Sequence, residues 1–190
     1  MTNVRKKRTR ARWVMTITIW TFFLAIVFGF LAHLSLNEIQ SIAISFLILI
    51  FVIMIGIVFD IVGTAAAAAS IAPLNAKAAC KVDGAKRGVY LVKHADKVAN
   101  FCNDVAGDIS GIISGTLATI IVFKLVVNLS YTQAEFYLGI LLTALVAALT
   151  VGGKAWGKVI AIKHSTEVIM LIGVLIDRLL KPLNWFSKHG

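Results

Sequence analysis

Charge is scarce in these 190 residues, and acid is scarcer. Only 15% of positions are Asp, Glu, Lys or Arg, and nine of them are acidic. Soluble domains average about 25% charged residues, so an ordinary cytosolic enzyme is excluded, and no room remains for a soluble catalytic domain. Two prolines exclude a collagen-like chain, and two cysteines, Cys80 and Cys102, exclude a disulfide scaffold. Hydrophobic residues make up 59% of the chain, which excludes intrinsic disorder. No phosphate-cradling glycine loop and no nucleophile-base arrangement is visible, so enzymatic activity is not expected.

What is present is apolar sequence in runs long enough to cross a bilayer, separated by basic blocks. Residues 1–13 form a basic arm containing Arg5, Lys6, Lys7, Arg8, Arg10 and Arg12, and an apolar run over 14–36 follows. A secretory signal has a shorter apolar core, roughly 7 to 15 residues, so this run reads as an uncleaved anchor and a first span. Asn37, Glu38, Gln40 and Ser41 make a polar turn. A second apolar run over 42–72 exceeds what the hydrocarbon core needs, so it must tilt, break or run past the membrane. Residues 74–100 carry Lys77, Lys81, Lys86, Arg87, Lys93 and Lys97 around an Asp83-Gly84 turn signal, the pattern of short surface helices. Further spans are expected at 101–129 and 136–151, joined by a polar loop, and then a cytoplasmic helix over 158–181 lying in the interface.

All Lys and Arg except Lys124 fall in the N-terminal arm, the 74–100 segment or the C-terminal segment. The positive-inside rule therefore places both termini in the cytoplasm and gives four spans, an N-terminal extra span plus a three-helix core. The expected fold class is an all-α integral membrane protein with four transmembrane helices and cytoplasmic juxtamembrane or belt helices. It is expected in the plasma membrane, with anionic lipid on the cytoplasmic side. Nucleic acid is the poorer partner, because the basic patches lie at membrane edges without interleaved stacking aromatics.

Ionisable groups inside spans are the informative residues. A central Asp costs about 2.5 to 3.5 kcal/mol to insert, and its charge persists only where a cation, a donor or water compensates it. Asp60, Asp104 and Asp108 are such residues. Asp104 and Asp108, four apart, share one helix face, beside a stripe of Asn103, Gly107, Ser110 and Ser114. Gly107, Gly111 and Gly115 recur every fourth residue, the spacing that lets another helix approach closely, and Asp60 with Gly56, Gly63 and Thr64 is the candidate approaching segment. Oxygen donors without His or Cys suit a hard cation such as magnesium, which prefers six oxygens. A plainer alternative holds for Asp104: an interface-level carboxylate at a helix N-terminus, favoured by the dipole, with no ligand. The run Ala65 to Ala69 reads as close packing.

The order of these features resembles the transmembrane domain of the CorC/cyclin-M (CNNM) family of magnesium transporters. The family has a threonine-alanine stretch closing its first core helix, a basic helical segment, an Asn-Asn pair opening the next helix, and a Gly-Glu-x-x-Pro-Lys element after the third. The counterparts are Gly63-Thr64-Ala65, Ala85-Lys86-Arg87-Gly88, Asn103-Asp104, and Gly153-Lys154-Ala155-Trp156-Gly157-Lys158. The similarity covers residues 42–186. It implies a three-helix core, a homodimer, and a cation site between helices to which Asp60, Thr64, Asn103, Asp104 and Asp108 would supply oxygens, with Mg2+ as the transported ion. Lys154 falls on the family's glutamate and Gly157 on its proline, and no CBS pair occurs within these 190 residues. Two functions are therefore expected to compete: divalent-cation transport, and a non-transporting structural or regulatory role in which the Lys154 ammonium replaces the cation as counterion to the aspartates.

Overall fold

The computed structural model describes the backbone of residues 15–16, 18–27, 29–30, 41–127 and 132–186. The basic arm, both ends of the expected first span, the 37–40 turn and the 128–131 loop lie outside the described residues. Among the described residues the chain is helical, with no strand. A short apolar helix α1 covers Thr18–Val27. It is followed by α2 (Ile42–Ala68), α3 (Ile71–Ala79), α4 (Ala85–Lys93) and α5 (Ala95–Ala99), a π-helix (Asn100–Gly107), α6 (Asp108–Val127), α7 (Thr132–Lys163) and α8 (Ser165–Phe186).

Among the described residues, three helical stretches are long and apolar enough to cross a membrane: Ile42–Ala68, Ala95–Leu125 and Tyr137–Lys163. All three depart from the expected bounds, the middle one by opening at Ala95 rather than at residue 101. The 42–72 run breaks at Ala69-Ser70, where Ser70 adopts an extended conformation (φ −79°, ψ 138°) and caps α3. Pro73 explains the break: in an unbroken helix its ring would meet the carbonyl four residues back, whereas in the first turn of a new helix its missing N–H is harmless. The span expected to end at 151 instead continues as one helix to Lys163, so residues 158–163 belong to α7 rather than to a separate cytoplasmic helix. Gly152 and Gly153 do not terminate it, and Gly153 serves as a packing notch.

The chain divides into two compact units. The first comprises residues 1–56 and 108–150. In it Ser45, Leu49 and Ile53 form the buried face of α2, and Ser114, Leu117, Ala118, Ile121 and Val122 that of α6. The opposite faces are apolar as well as exposed, with Ile44, Leu47, Phe51 and Met54 on α2 and Ile112 and Phe123 on α6, the composition that suits lipid rather than water. Hydroxyls on these helices bond back to their own backbone: Ser45 to the Ser41 carbonyl (3.2 Å), Ser114 to Gly111 (2.9 Å), Thr116 to Ile112 and Thr119 to Gly115 (both 3.0 Å). Such bonds let polar side chains sit in an apolar medium without a distant partner.

The second unit comprises residues 57–107 and 151–190. Its core is Ala65, Ala66, Leu74, Ala161 and Ile169, all fully buried. Of the alanine run, Ala65 and Ala66 pack closely in this core, while Ala67 and Ala68 are exposed. Helix α3 ends in a Schellman motif, with Val82 N–H donating to the Lys77 carbonyl (3.0 Å) and Lys81 N–H to Ala78 (3.1 Å), and with Lys81 in the left-handed position at φ 56°. The Asp83-Gly84 turn follows, Gly84 having φ 76°, and its backbone lies directly against α8 at Gly173. Arg87 Nε donates to Asp177 Oδ1 at 2.9 Å across the same α4–α8 seam. Both partners are about 40% exposed, so glycine-to-backbone packing rather than this ion pair carries the docking.

Candidate functional site

Asp60 is the buried acid. It lies on the second-unit part of α2, only 3% exposed, and its Oδ2 is screened from solvent without a hydrogen-bond partner. One turn further along α2, Gly63 leaves room for Asn103: a Cβ on Gly63 would collide with Asn103 Oδ1 and come within 2.8 Å of its Cγ. Asn103 Oδ1 is likewise buried and without a donor. Two acceptor oxygens, one carboxylate and one amide, are therefore held at neighbouring turns of α2 by a glycine gap.

Asn103 sits within the π-helix. A π-helical turn carries one more residue than an α-turn, which rotates the side chains before it relative to those after it. Here it places Cys102, Val105 and Gly107 inward, while Asp104 is exposed. The π-helix closes at Gly107, whose carbonyl accepts a hydrogen bond from Lys154 Nζ at 3.2 Å. One turn along α7, Lys158 Nζ stands 3.8 Å from Asp60 Oδ2. That is an ion pair but too long for a hydrogen bond. The Lys158 side chain is 51% exposed and that of Asp60 only 4%.

The register of α7 on α2 comes from a second pair of glycines. A Cβ on Gly153 would collide with Ile57 Cδ1, and one on Gly157 would lie 2.8 Å from Ile61 Cγ1. Ile57 and Ile61 flank Asp60, and Gly153 and Gly157 each precede one of the two lysines. Two isoleucine knobs seated in two glycine notches thus set where Lys154 and Lys158 fall. The sequence carried this signal as a Gly-x-x-x-Gly spacing, which reading Gly157 as a replaced proline passed over. Lys158, absent from the expected site, is the lysine beside Asp60.

The expected residues do not all gather here. Thr64 is half-buried on α2, while Asp104 and Asp108 are exposed, and Asp108 belongs to the first unit. The glycine stripe is corrected in part: Gly107 is buried in the site, but a Cβ on Gly111 or Gly115 would meet nothing within 4 Å. Close approach to another helix occurs at Gly63, Gly153 and Gly157 instead, where side chains of the partner helix fill the gaps. Among the described residues no group of three or more His, Cys, Asp or Glu converges to hold a metal ion. A cation at this site would therefore depend on Asp60, the Asn103 amide oxygen, backbone carbonyls and water. Compared with family models, with curated proteins and with solved structures, the chain matches none.

Proposed function

We propose that this protein carries a divalent cation, magnesium being the best chemical fit, across the plasma membrane through the oxygen-lined notch around Asp60. The carrying observation is that Asp60 Oδ2 and Asn103 Oδ1 are both buried and both lack a donor. Buried acceptors without donors are costly, and a cation that keeps part of its water shell offsets that cost through direct and water-mediated oxygens. Thr64 and Asp104, in the same unit as Asp60, complete the proposed path, and the CorC/CNNM resemblance supplies the expectation of a homodimer.

In this reading α1 is part of a fourth span, both termini lie in the cytoplasm, and the lysine-rich α3–α5 segment rests on anionic headgroups. Helix α8 lies in the interface, its exposed Leu171, Leu175 and Leu179 recurring every fourth residue. Single cysteines at Asn37, Ala85, Ser130 and His189 test the topology: external labelling is expected at the first and third alone, and labelling at Ala85 would overturn it.

Magnesium flux into proteoliposomes tests the function. The parent is expected to give saturable flux, Asp60→Asn to lose most of it while inserting normally, and an Asp60→Asn variant as active as the parent would refute the site. The second reading, a non-transporting membrane protein, draws on the two lysines that already reach the notch. It predicts no divalent-ion binding by the parent and the appearance of binding in Lys154→Glu.

A further inference from the structure

The two lysines of α7 meet the notch in different ways. Lys154 is engaged by a hydrogen bond to the Gly107 carbonyl at 3.2 Å. Lys158 neutralises Asp60 through space at 3.8 Å, makes no hydrogen bond to it, and keeps half its side chain exposed. Its carboxylate partner is almost fully buried and fixed on α2, so the mobile half of the pair is the lysine. A four-carbon stem rooted beside the Gly157 notch lets the ammonium leave Asp60 while the helix stays seated on Ile61.

We infer that Lys158 is a displaceable internal counterion: its ammonium neutralises Asp60 when no metal ion is bound, and a divalent cation entering the notch expels it. The inference rests on the transport reading and adds a selectivity rule to it. A tethered ammonium faces Asp60 at a high effective concentration, so a free monovalent ion of equal charge competes poorly. A divalent ion interacts with the carboxylate about twice as strongly at equal distance and dielectric, and once bound it repels the ammonium nearby. Lys158 therefore acts as a charge filter, admitting doubly charged ions and holding out sodium and potassium. Because the empty notch must first release its lysine, the apparent affinity for the divalent ion is lower than the oxygens alone would give, by the fraction of time the ammonium is away.

The test uses the full chain in zwitterionic nanodiscs, with Mg2+ as the probe and Na+ as competitor. Lys158→Gln is expected to tighten Mg2+ binding about tenfold or more and to make it sensitive to Na+, whereas Lys158→Arg, which keeps the charge, stays close to the parent. In the parent, acylation of Lys158 by an amine-selective reagent, read by peptide mass spectrometry, should speed up with Mg2+ at the same half-saturation as binding, and this response should vanish in Asp60→Asn. If the parent binds Mg2+ through Asp60 but Lys158→Gln changes neither affinity nor Na+ sensitivity, the counterion role is wrong and the transport site stands. If neither the parent nor Lys158→Gln binds Mg2+, the transport reading itself falls. Binding by Lys158→Gln alone would make the lysine a permanent occupant and overturn displacement.

Discussion

Gly84 and Gly173 meet backbone to backbone. A Cβ on Gly173 would collide with the Gly84 carbonyl oxygen, and one on Gly84 would come within 2.5 Å of the Val174 nitrogen. Neither neighbour is the free end of a side chain, so the contact cannot relax by a rotamer change. It is what holds the α3–α4 turn on α8, and through it the base of the second unit. Gly173→Ala is expected to destabilise this unit by about 1 to 3 kcal/mol. Thermal unfolding in detergent, with amide exchange over residues 80–93 to localise the loss, checks it; unchanged exchange there would show that the seam is held elsewhere.

Lys81 occupies a backbone position that favours glycine. At φ 56° its Cβ crowds the neighbouring carbonyl, and the Schellman motif it completes needs only its N–H. Lys81→Gly should therefore stabilise the protein by roughly 0.5 to 1 kcal/mol, despite the greater freedom glycine brings to the unfolded chain. A raised melting temperature is the expected result, and a lowered one would mean that the lysine side chain contributes more than its backbone costs.

The glycines of the spans divide into notches and open positions. Gly111→Ala and Gly115→Ala meet nothing within 4 Å and should be neutral or stabilising, by up to about 1 kcal/mol each from helix propensity. Gly157→Leu should displace Ile61 and shift α7 relative to Asp60, lowering both stability and magnesium binding. Parallel melting curves with and without Mg2+ distinguish these variants. Destabilisation at Gly111 or Gly115 would point to a second chain packed on that face.

Lys154 is expected to act on the π-helix. Removing its donor in Lys154→Met deprives the Gly107 carbonyl of a charge-assisted bond, a class worth about 1.5 to 3 kcal/mol. Amide exchange through Asn100–Gly107 should quicken while α8 stays protected. Equal protection in parent and variant would mean that the π-helix is held by its own backbone bonds.

Much of the architecture was legible in the sequence by itself, because span length, apolarity and turn chemistry are local properties. The second and third spans, the Asp83-Gly84 turn and the close-packed alanines follow from runs, dipeptides and composition within a few residues. Pro73 also held the reason why the second run breaks, although the break shows only when its position in a new first turn is seen. Asp60 could be singled out from its cost in an apolar span. The sequence could not decide which lysine meets it. Lys154 and Lys158 are one helical turn apart, about 5.4 Å, and both lie on the face of α7 that reaches the notch. The choice depends on how Ile57 and Ile61 seat in Gly153 and Gly157, and on the rotation the π-helix gives Asn103 and Gly107. Those are relations between helices distant in sequence, so only the tertiary structure brings Lys158 to Asp60, draws Lys154 to a carbonyl, and leaves Asp104 and Asp108 exposed.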